Sequence, residues 1–582
     1  MAPKIIIVGG GLAGLSATIK ACEAGATVDL FSIVPVRRSH SVCAQGGINA
    51  AVNTKGEGDS PAQHFDDTIY GGDFLANQTP VKNMCEAGPG IVFMLDRMGV
   101  MFNRTPEGLI DFRRFGGTLY NRTAFAGATT GQQMMYALDE QVRRFESEGK
   151  VRKYEGWEML SLVLDNEPAC RGITAINIAT MATESFRADA VILATGGVGL
   201  IYGKSTNSMV CTGTATSMAY QQGAFYGNGE FIQVHPTAVP GEDKLRLISE
   251  SVRGEGGRVW VYKEGKGGSP EPWYFLEEWY PKYGNLVPRD VATRAIFKVV
   301  YELKLGIDGQ PKVYLDVSHL DPKILRAKLG GVLEIYEKFV GEDPTKVPMM
   351  IFPAVHYTMG GLWVDFNQMT NIPGLFAAGE CEYQYHGANR LGANSLLSCI
   401  YAGIVTGGSV VRYAQGMKKG SDAAPGRFFE EELKKQKEAS NRLMTADGSE
   451  NPHLLHKTLG EWMTENVTVI RYNEKLAKAD DKIQELMERY KNIGLPDKTG
   501  WANNELIFAR ELYNMLVLAR VITQGAFRRN ESRGAHYKPE FPDRDDAHWL
   551  KTTKARHTPN GPEFTYEEVD TQYIKPRPRK YD

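Results

Sequence analysis

The strongest constraint on the fold lies in the first thirty residues, where a glycine-rich turn separates an apolar strand from a helix. Residues 4–8 read KIIIV, residues 12–23 follow a helical pattern, and residues 26–31 read ATVDLF. Residues 9–14, between the first strand and the helix, read GGGLAG and fit the pattern G-x-G-x-x-G. A glycine motif in this strand–turn–helix context predicts a βαβ unit that binds the pyrophosphate of a dinucleotide.

Each glycine of the turn has a separate expected role. Gly9 permits the turn, Gly11 lets the pyrophosphate approach the backbone, and Gly14 allows the helix to pack closely. The helix N-terminus would face the phosphate charge. The acid that usually binds ribose at the end of the second strand is absent, since Ser32 follows that strand and Asp29 falls earlier. Either Ser32 makes this contact, or the ribose is held elsewhere.

The glycine pattern favours FAD over a nicotinamide cofactor. A flavoprotein that also used NAD(P)H would usually need a second G-x-G-x-x-G unit, which residues 196–199, GGVG, do not fit. Residues 378–380, AGE, are more typical of a turn beside a flavin.

Two later strand-like segments, at 189–197 and 374–380, end in glycines like the first unit. We therefore predict an α/β fold in which a Rossmann-type FAD-binding domain is assembled from distant segments, with an inserted α+β capping domain, a helical domain and a small C-terminal domain. The insertion is rich in Trp, Tyr and Pro, and the third part is charged and follows a helical pattern. The expected boundaries are 1–234 and 356–424 for the FAD-binding domain, 235–355 for the capping domain, 425–540 for the helical domain and 541–582 for the C-terminal segment.

Charge and cysteine usage exclude several classes of function. Lys and Arg number 67 against 69 Asp and Glu, so the chain lacks the excess of basic residues that is typical of nucleic-acid-binding proteins. Seven cysteines without CxxC spacing predict no disulfide framework, no bound metal and a reducing compartment. The first strand follows Met-Ala-Pro at once, which leaves no room for a signal peptide, and no stretch approaches the ~18–20 apolar residues of a membrane span. The expected protein is soluble by itself.

A histidine in a glycine-flanked loop stands out in residues 37–47, RRSHSVCAQGG. By chemistry alone, His40 is more often a surface or hydrogen-bonded residue than a functional one. The segment closely resembles the flavin-attachment segment of succinate dehydrogenase and fumarate reductase flavoprotein subunits. Further motifs are similar to that family in its own order, at 64–68, 114–117, 253–257, 356–361, 386–392 and 531–536. The resemblance covers nearly the whole chain and is strongest to type-B succinate:menaquinone reductases.

The resemblance implies a cofactor site. It implies FAD bonded through its 8α-methyl group to His40, which would raise the reduction potential of the flavin enough to accept electrons from succinate. The other residues implied in cofactor binding are Ser39, Gln45, Gly46, Gly47, Glu380, Asn394, Ser395 and Leu396. Thr214 stands where many relatives have an acid near the flavin, so no flavin contact is assigned to it.

The resemblance also implies a site for a four-carbon dicarboxylate, whose two charges need cationic partners. Substrate contacts are expected from His235, Ser249, His356, Arg390 and Phe115. Ser249 replaces a common threonine and keeps its hydroxyl.

Three residues would carry the catalytic proton, which the resemblance alone implies. Arg289 would be the proton-transfer residue, with Glu250 and Arg253 as its relay to solvent. Arginine is an unusual base, and Arg289 could instead form an ion pair with Asp290 or a domain contact. Because Arg289 lies in the insertion, the substrate should bind in a cleft between domains that closes over it.

The implied partners follow from the absence of a four-cysteine cluster, since electrons must leave the flavin through another protein. The resemblance implies an iron–sulfur subunit, a di-haem cytochrome b as membrane anchor, and a flavinylation assembly factor. The expected location is the cytoplasmic face of the bacterial inner membrane, reached through these partners.

Three rival functions remain for comparison, and the physiological direction stays open. L-aspartate oxidase shares the architecture but lacks the attachment histidine, and a stand-alone fumarate reductase usually brings its own haem or flavin domain. A non-enzymatic flavin-binding protein would not need the full set of substrate residues. Succinate oxidation and anaerobic fumarate reduction share one site, so the sequence does not separate them.

Overall fold

The centre of the protein is a five-stranded parallel sheet. The computed structural model describes residues 2–239, 241, 245–265 and 268–581. The inner strands Lys4–Val8 and Ala190–Leu193 are buried almost throughout as apolar runs, as expected for a parallel sheet that is covered on both faces, whereas the edge strand Val151–Glu155 is polar and partly exposed. In spatial order they are Leu375–Ala377, Ala190–Leu193, Lys4–Val8, Thr27–Ser32 and Val151–Glu155.

One face of this sheet is covered by helices. Leu12–Glu23 packs along Asn394–Gln415, and two glycines of the second helix allow the close approach, because a Cβ on Gly403 would lie 2.4 Å from the Ala13 carbonyl oxygen. Further helices complete this layer at Pro61–Gly71, Gln78–Arg97 and Thr130–Ser147. The other face carries a three-stranded antiparallel sheet of Trp157–Leu164, Cys170–Asn177 and Thr183–Arg187 and the helix Thr214–Gln221. A small antiparallel sheet near the glycine turn contains Ile48–Asn49, Thr123–Ala124 and Phe112–Arg113.

The inserted region folds around a six-stranded antiparallel sheet with its own apolar core. Its strands, in spatial order, are Arg246–Leu247, Ile232–Val239, Met349–Thr358, Val313–Asp316, Arg258–Glu264 and Pro270–Trp273. Its helices are Ser251–Gly254, Phe275–Trp279, Arg289–Phe297 and Pro322–Val340. A π-helical turn, Lys298–Glu302, extends the third of these helices.

Four long helices and a β-hairpin form the last part of the chain. The helices are Gly426–Thr445, Pro452–Asn466, Asn473–Tyr490 and Asn504–Arg528, and the last coincides closely with the helical pattern of the sequence. After the short helix Asp546–Trp549, the hairpin Lys551–Thr558 and Gly561–Glu568 joins Tyr226–Gly227 and Gly361–Leu362 in a four-stranded sheet. The hairpin therefore ties this part to the region of the parallel sheet.

One helix of the described residues, Asn394–Gln415, is long and apolar enough to cross a membrane by length and composition. It lies against the parallel sheet, and 67% of its most apolar window is buried inside the protein. Packing in the core therefore accounts for its composition. All seven cysteines are free thiols, and no group of three or more metal-ligating side chains occurs among the residues that the structure covers.

Candidate active site

A deep cavity opens at the carboxyl ends of the central parallel strands, which is where open sheets of this kind bind ligands. The glycine turn forms its floor. The remaining wall comes from residues 31–34, 39–41, 157–159, 194–196, 210–215 and 378–380. Ser32 lies in this wall, whereas Asp29 forms an ion pair with Lys4. Ser32 is thus the second-strand residue placed to reach a ribose.

Two glycines of the turn accept no side chain. Gly9 has a positive φ of 116°, and a Cβ on it would lie 2.1 Å from the carbonyl oxygen of Ala194. A Cβ on Gly14 would lie 1.9 Å from the carbonyl oxygen of Gly9. Gly11 precedes the helix and brings no capping side chain, and Leu12 and Ala13 of the first turn line the cavity. The Leu12 N–H donates to Ser41 Oγ, another residue of the cavity wall, at 3.3 Å. This geometry fits a pyrophosphate group.

A second cavity, of about 480 Å³, adjoins the first. The two share His40, Ser41, Glu380 and Cys399 in their walls. The second is lined on one side by the helical layer and on the other by the capping region. An elongated ligand can therefore run from the glycine turn past His40 into the second cavity.

His40 stands at this junction at the start of a 3₁₀ turn, His40–Cys43. Its Nδ1 accepts a hydrogen bond from the backbone N–H of Ser208 at 3.1 Å. Its Nε2 lies 3.1 Å from the side-chain amide of Asn207, which in turn reaches the carbonyl oxygen of His356 at 3.2 Å. The imidazole is thus oriented from the far side of the cavity by residues about 170 positions away in sequence.

Glu250 is the centre of the second cavity's charged network and is fully buried. One carboxylate oxygen accepts from Nη2 of Arg253 at 2.6 Å, and the other accepts from Nε of Arg289 at 2.9 Å. Arg289 also donates from Nη1 to Gln233 Oε1 at 2.9 Å. Gln233 donates to the carbonyl oxygen of Arg390 at 2.8 Å, so one chain of hydrogen bonds joins the three arginine segments.

Two histidines and Arg390 face the same cavity. The rings of His235 and His356 meet edge to face with centroids 5.0 Å apart. His235 Nδ1 lies 3.2 Å from both the N–H and the carbonyl oxygen of Thr237, so these contacts suit a proton on either ring nitrogen. Nε2 of His235 and Nε of Arg390 have no hydrogen-bond partner among the described residues. Buried polar nitrogens without a protein partner indicate a bound ligand.

Burial and neighbouring charges set the protonation of the site. Burial, followed by the charge of Arg289, holds the pKa values of His235 and His356 well below their usual range. Burial opposes ionisation of Glu250, but Arg289 and Arg253 outweigh it and lower the pKa of its carboxyl. Burial and Arg289 lower the pKa of Arg390 to about 9. The histidines are therefore neutral and Glu250 is a carboxylate.

The charges near Glu250 match a dianionic ligand. Three guanidinium groups, those of Arg253, Arg289 and Arg390, against the carboxylate of Glu250 leave two positive charges. Burial raises the pKa of Glu380, another carboxyl group in this wall, to about 7. The two positive charges, with His235 in its Nε2–H tautomer as a neutral donor, can bind the two carboxylates of a small dicarboxylate. The Phe115 ring forms an apolar part of the same wall.

Two glycines give Glu250 the space that it occupies. A Cβ on Gly116 would lie 2.0 Å from Glu250 Oε1, and one on Gly392 would lie 2.7 Å from Oε2. Any side chain at either position would displace the carboxylate from its arginine partners.

Gly116→Ala should therefore lower kcat by roughly 100-fold, because displacement by about 1 Å costs this much where catalysis depends on alignment. Steady-state kinetics of the holoenzyme measure the effect. Gly90→Ala is the matched control, because a Cβ at that helical position meets nothing within 4 Å. A Gly116→Ala enzyme with the kcat of the unmodified protein would contradict the role of Glu250.

Comparison with known proteins places the chain in a family. Residues 4–396 match the FAD binding domain model, and residues 456–581 match the fumarate reductase flavoprotein C-term model. The chain is 67% identical to the succinate dehydrogenase flavoprotein subunit of Bacillus subtilis, over 99% of this chain and 98% of that one.

The chain belongs to the succinate dehydrogenase and fumarate reductase flavoprotein family. A mutated Escherichia coli quinol fumarate reductase superposes with a TM-score of 0.91 at 33% identity, over 100% of this chain and 98% of that one. A quinol–fumarate reductase with menaquinol superposes with a TM-score of 0.90 at 33% identity, over 99% and 100%. The predicted family and fold class are confirmed, and this flavoprotein is an FAD-dependent oxidoreductase.

Most of the predicted site residues of this flavoprotein lie in the walls of the two adjoining cavities. The predicted residues found there are Gly9, Gly11, Ser32, Ser39, His40, Gln45, Gly46, Gly47, Phe115, His235, Ser249, Glu250, Arg289, His356, Glu380, Arg390, Ser395 and Leu396. The predicted alternative of an Arg289–Asp290 ion pair is not what the structure has. Arg289 pairs with Glu250, and Asp290 pairs with Arg294 and Arg579.

Three predicted residues lie behind the walls. Gly14 packs against Gly9, as its role in the turn requires. Arg253 is buried behind Glu250. Asn394 accepts from His64 and Asn49 through its Oδ1 and donates to Thr68, so its side chain is committed to the protein interior. Its position at the start of the helix Asn394–Gln415 lets it support Ser395 and Leu396.

Several residues of the site were not found from the sequence. Gln233 lies in the motif around His235, but nothing in the residue type signals its bond to Arg289. Thr206 meets His356 Nδ1 at 2.6 Å, and Tyr357 lies under the Arg390 guanidinium at 4.5 Å. Their partners are distant in sequence, so only the folded structure identifies them.

Thr214, the position that departs from the family pattern, lies in the wall of the nucleotide cavity. Its hydroxyl meets the Thr212 hydroxyl at 2.9 Å. Glu158 lines the same wall, and burial raises the pKa of its carboxyl to about 7. Although Thr214 carries no acid, the cavity wall still contains a carboxyl group, that of Glu158 on the strand Trp157–Leu164.

Proposed function

We propose that this chain is the flavoprotein subunit of a succinate:quinone oxidoreductase and interconverts succinate and fumarate. The observation that carries the proposal is the Arg253–Glu250–Arg289 network, which faces His235, His356 and Arg390 across one cavity. That cavity continues past His40 to the glycine turn. When bound, FAD supplies the acceptor and donor of the hydride.

We also propose that His40 holds the FAD covalently. An imidazole bonded through Nε2 keeps one free nitrogen, and that nitrogen can only accept a hydrogen bond. The Ser208 N–H already donates to Nδ1, which fits the bonded form. The residues proposed to hold the rest of the cofactor are those predicted from the sequence that line the nucleotide cavity and the junction.

Arg390 and His235 are proposed to hold the substrate carboxylates, because each has a buried nitrogen that no described residue satisfies. His356 is oriented by Thr206, which accepts or donates at its Nδ1 and leaves Nε2 for the ligand. Ser249 and Phe115 complete the wall, one with a hydroxyl group and the other with an apolar surface.

Arg289 is proposed to move the proton that leaves or enters the substrate carbon. Its guanidinium lies in the cavity wall and donates to Glu250, which can accept the proton. Arg253 contacts the other oxygen of Glu250 and reaches the carbonyl oxygen of Asn285 at 2.6 Å, in the capping region. Burial lowers the pKa of Arg253, which suits a group that passes protons on.

The proposed partners are an iron–sulfur subunit, a di-haem cytochrome b anchor and a flavinylation factor. The similar structures include quinol–fumarate reductases, one of them with menaquinol molecules, which supports a quinone-linked assembly. The proposed location is the cytoplasmic face of the inner membrane, reached through the partners. The domain boundaries predicted from the sequence, at 235–355 for the cap and 425–540 for the helical part, stay part of this proposal.

The KM for succinate should show no pH dependence that arises from protonation of His235 or His356. Because His235 and His356 are held neutral by burial and then by Arg289, their protonation should change the KM per succinate dianion by less than about twofold between about pH 6 and pH 8. Steady-state assays across this range measure it, with Glu380→Gln beside the unmodified protein, because burial raises the pKa of that wall carboxyl to about 7. A tenfold change of KM that is centred near the ordinary histidine pKa of about 6.5 and present in both proteins would contradict the neutral assignment.

The experiment that tests the proposed function is purification of the chain with its partners, followed by assays in both directions. Succinate oxidation should reduce a menaquinone or ubiquinone analogue, and reduced analogue should drive fumarate reduction. The ratio of the two rates gives the direction that the complex favours. Turnover of neither dicarboxylate would overturn the proposal.

A further inference from the structure

Residues 577–581, here called the strap, cross from the helical layer to the capping region. Their side chains are the last that the structure describes. One end of the strap is held by Arg577, which forms an ion pair with Asp66 at 2.5 Å on the helix Pro61–Gly71. The other end contacts the cap beside the proposed active site.

Arg579 makes the central contact of the strap. Its Nη1 donates to Asp290 Oδ2 at 2.5 Å and its Nη2 to Oδ1 at 2.9 Å. Both side chains are almost completely buried, at 7% and 1% exposure. Burial opposes the charge of Asp290, yet Arg579 and Arg294 hold the pKa of its carboxyl below the usual range. A bidentate buried pair of this kind sets a fixed geometry.

Asp290 directly follows Arg289 in the first turn of the helix Arg289–Phe297. Adjacent helical residues project about 100° apart, so the two side chains diverge. Arg289 reaches Glu250 and Gln233 in the cavity, while Asp290 reaches the strap. The turn that carries the proposed proton-transfer group is therefore clamped on both sides.

Aromatic contacts add a second connection. The Tyr581 ring packs edge to face on Tyr70 of the helical layer and on Tyr283 of the cap, with centroids 5.5 and 5.1 Å apart. The Tyr70 hydroxyl donates to the carbonyl oxygen of Lys580 at 2.8 Å. Tyr283 stands six residues before Arg289 on the same loop. The strap thus contacts both the loop before the helix and the helix itself.

We propose that the strap, through the Arg579–Asp290 pair, positions Arg289 against the substrate and ties the cap to the helical layer in the closed arrangement. The inference rests on the role proposed above for Arg289. Arg579 is a positioning residue, because it touches neither cavity.

Arg579→Gln in the holoenzyme tests the proposal. It removes the charge that satisfies Asp290 and should lower kcat by roughly tenfold through loss of Arg289 alignment. The affinity for malonate, a dicarboxylate with no adjacent pair of methylene carbons to oxidise, should change less than about twofold, since the binding groups do not touch the strap. Hydrogen exchange of residues 283–297 should rise.

Further variants separate positioning from general destabilisation. Arg556→Gln is the matched control, because it breaks an ion pair with Glu563 whose two side chains are both 60% exposed. It should leave kcat and exchange unchanged. Arg579→Lys keeps the charge but loses the bidentate fork, so its kcat should lie between those of the unmodified enzyme and Arg579→Gln. If Arg579→Gln does not accumulate as folded protein, Arg579→Lys is used for the same measurements. Tyr70→Phe should increase exchange of the same loop.

An unchanged kcat with unchanged exchange of residues 283–297 in Arg579→Gln would overturn the proposal, as would an equal loss in Arg556→Gln. Failure of the proposed function looks different. In that case the unmodified holoenzyme does not turn over succinate or fumarate, and the exchange measurement still decides whether the strap holds the helix.

Discussion

Replacement of Arg289 by glutamine should lower kcat for both succinate oxidation and fumarate reduction by about 10³-fold or more, the upper part of the range for a lost general acid or base. The reason is that Arg289 alone of the three arginines both lines the cavity and donates to Glu250. Glutamine retains a hydrogen-bond donor but cannot carry the proton. Steady-state rates in both directions measure the loss.

The protein should still fold and bind ligand in this variant. Glu250 keeps its bond to Arg253 at 2.6 Å, so the substitution does not leave a buried carboxylate alone, which would cost about 3–5 kcal/mol. Malonate should therefore still perturb the flavin spectrum. Its Kd should rise, because one of the two net positive charges of the cavity is gone, but by far less than kcat falls.

Arg326→Gln is the matched control for charge loss in the cap. Arg326 forms ion pairs with Glu337 and Asp343 on the exposed surface of that region, and its loss should leave kcat unchanged. Glu250→Gln should reproduce the defect of the Arg289 variant, because it interrupts the same relay. Substantial turnover in Arg289→Gln would assign the proton to another group.

Replacement of His40 by serine should abolish the covalent flavin bond and strongly lower the rate of succinate oxidation. FAD should remain bound through the glycine turn, since Gly9 and Gly11 do not depend on His40. Without the bond the flavin potential falls, so oxidation of succinate should drop by at least about 100-fold while fumarate reduction persists at a measurable rate. Flavin fluorescence of the acid-denatured protein on a gel reports the bond, and a redox titration reports the potential.

His548→Ser is the control for this substitution. His548 is 77% exposed and pairs with Asp545 on the surface, so its loss should change neither the fluorescence nor the potential. A fluorescent band that persists in the His40→Ser protein would place the attachment at another residue. A non-fluorescent band from the unmodified protein would contradict covalent attachment. It would not contradict the proposed substrate site.

The shape of the glycine turn could be predicted from local sequence patterns because the physics there is local. The glycine turn needs a positive φ at Gly9 and close contact at Gly14, and both requirements are satisfied within a few residues of chain. The helices Leu12–Glu23 and Asn504–Arg528 follow from apolar spacing for the same reason. The family resemblance then supplied residues such as Arg390 that no pattern would have selected.

The rest of the site depends on contacts between segments that are far apart in sequence. Gly116 is needed because Glu250 occupies its space, 134 positions later in the chain. Asp290 looked like a partner for Arg289, but Arg579 bonds it from 289 positions away. Asn394 was predicted to contact the cofactor, yet its side-chain oxygen accepts hydrogen bonds from His64 and Asn49. Residue types alone do not reveal such pairings.

The measurement that tests the central claim most directly is anaerobic mixing of the purified holoprotein with succinate, followed through the absorbance of the oxidised flavin. We predict that succinate bleaches this absorbance and that fumarate restores it, with Arg289→Gln failing in both steps. A flavin that dithionite reduces but succinate leaves oxidised would contradict succinate oxidation at this site.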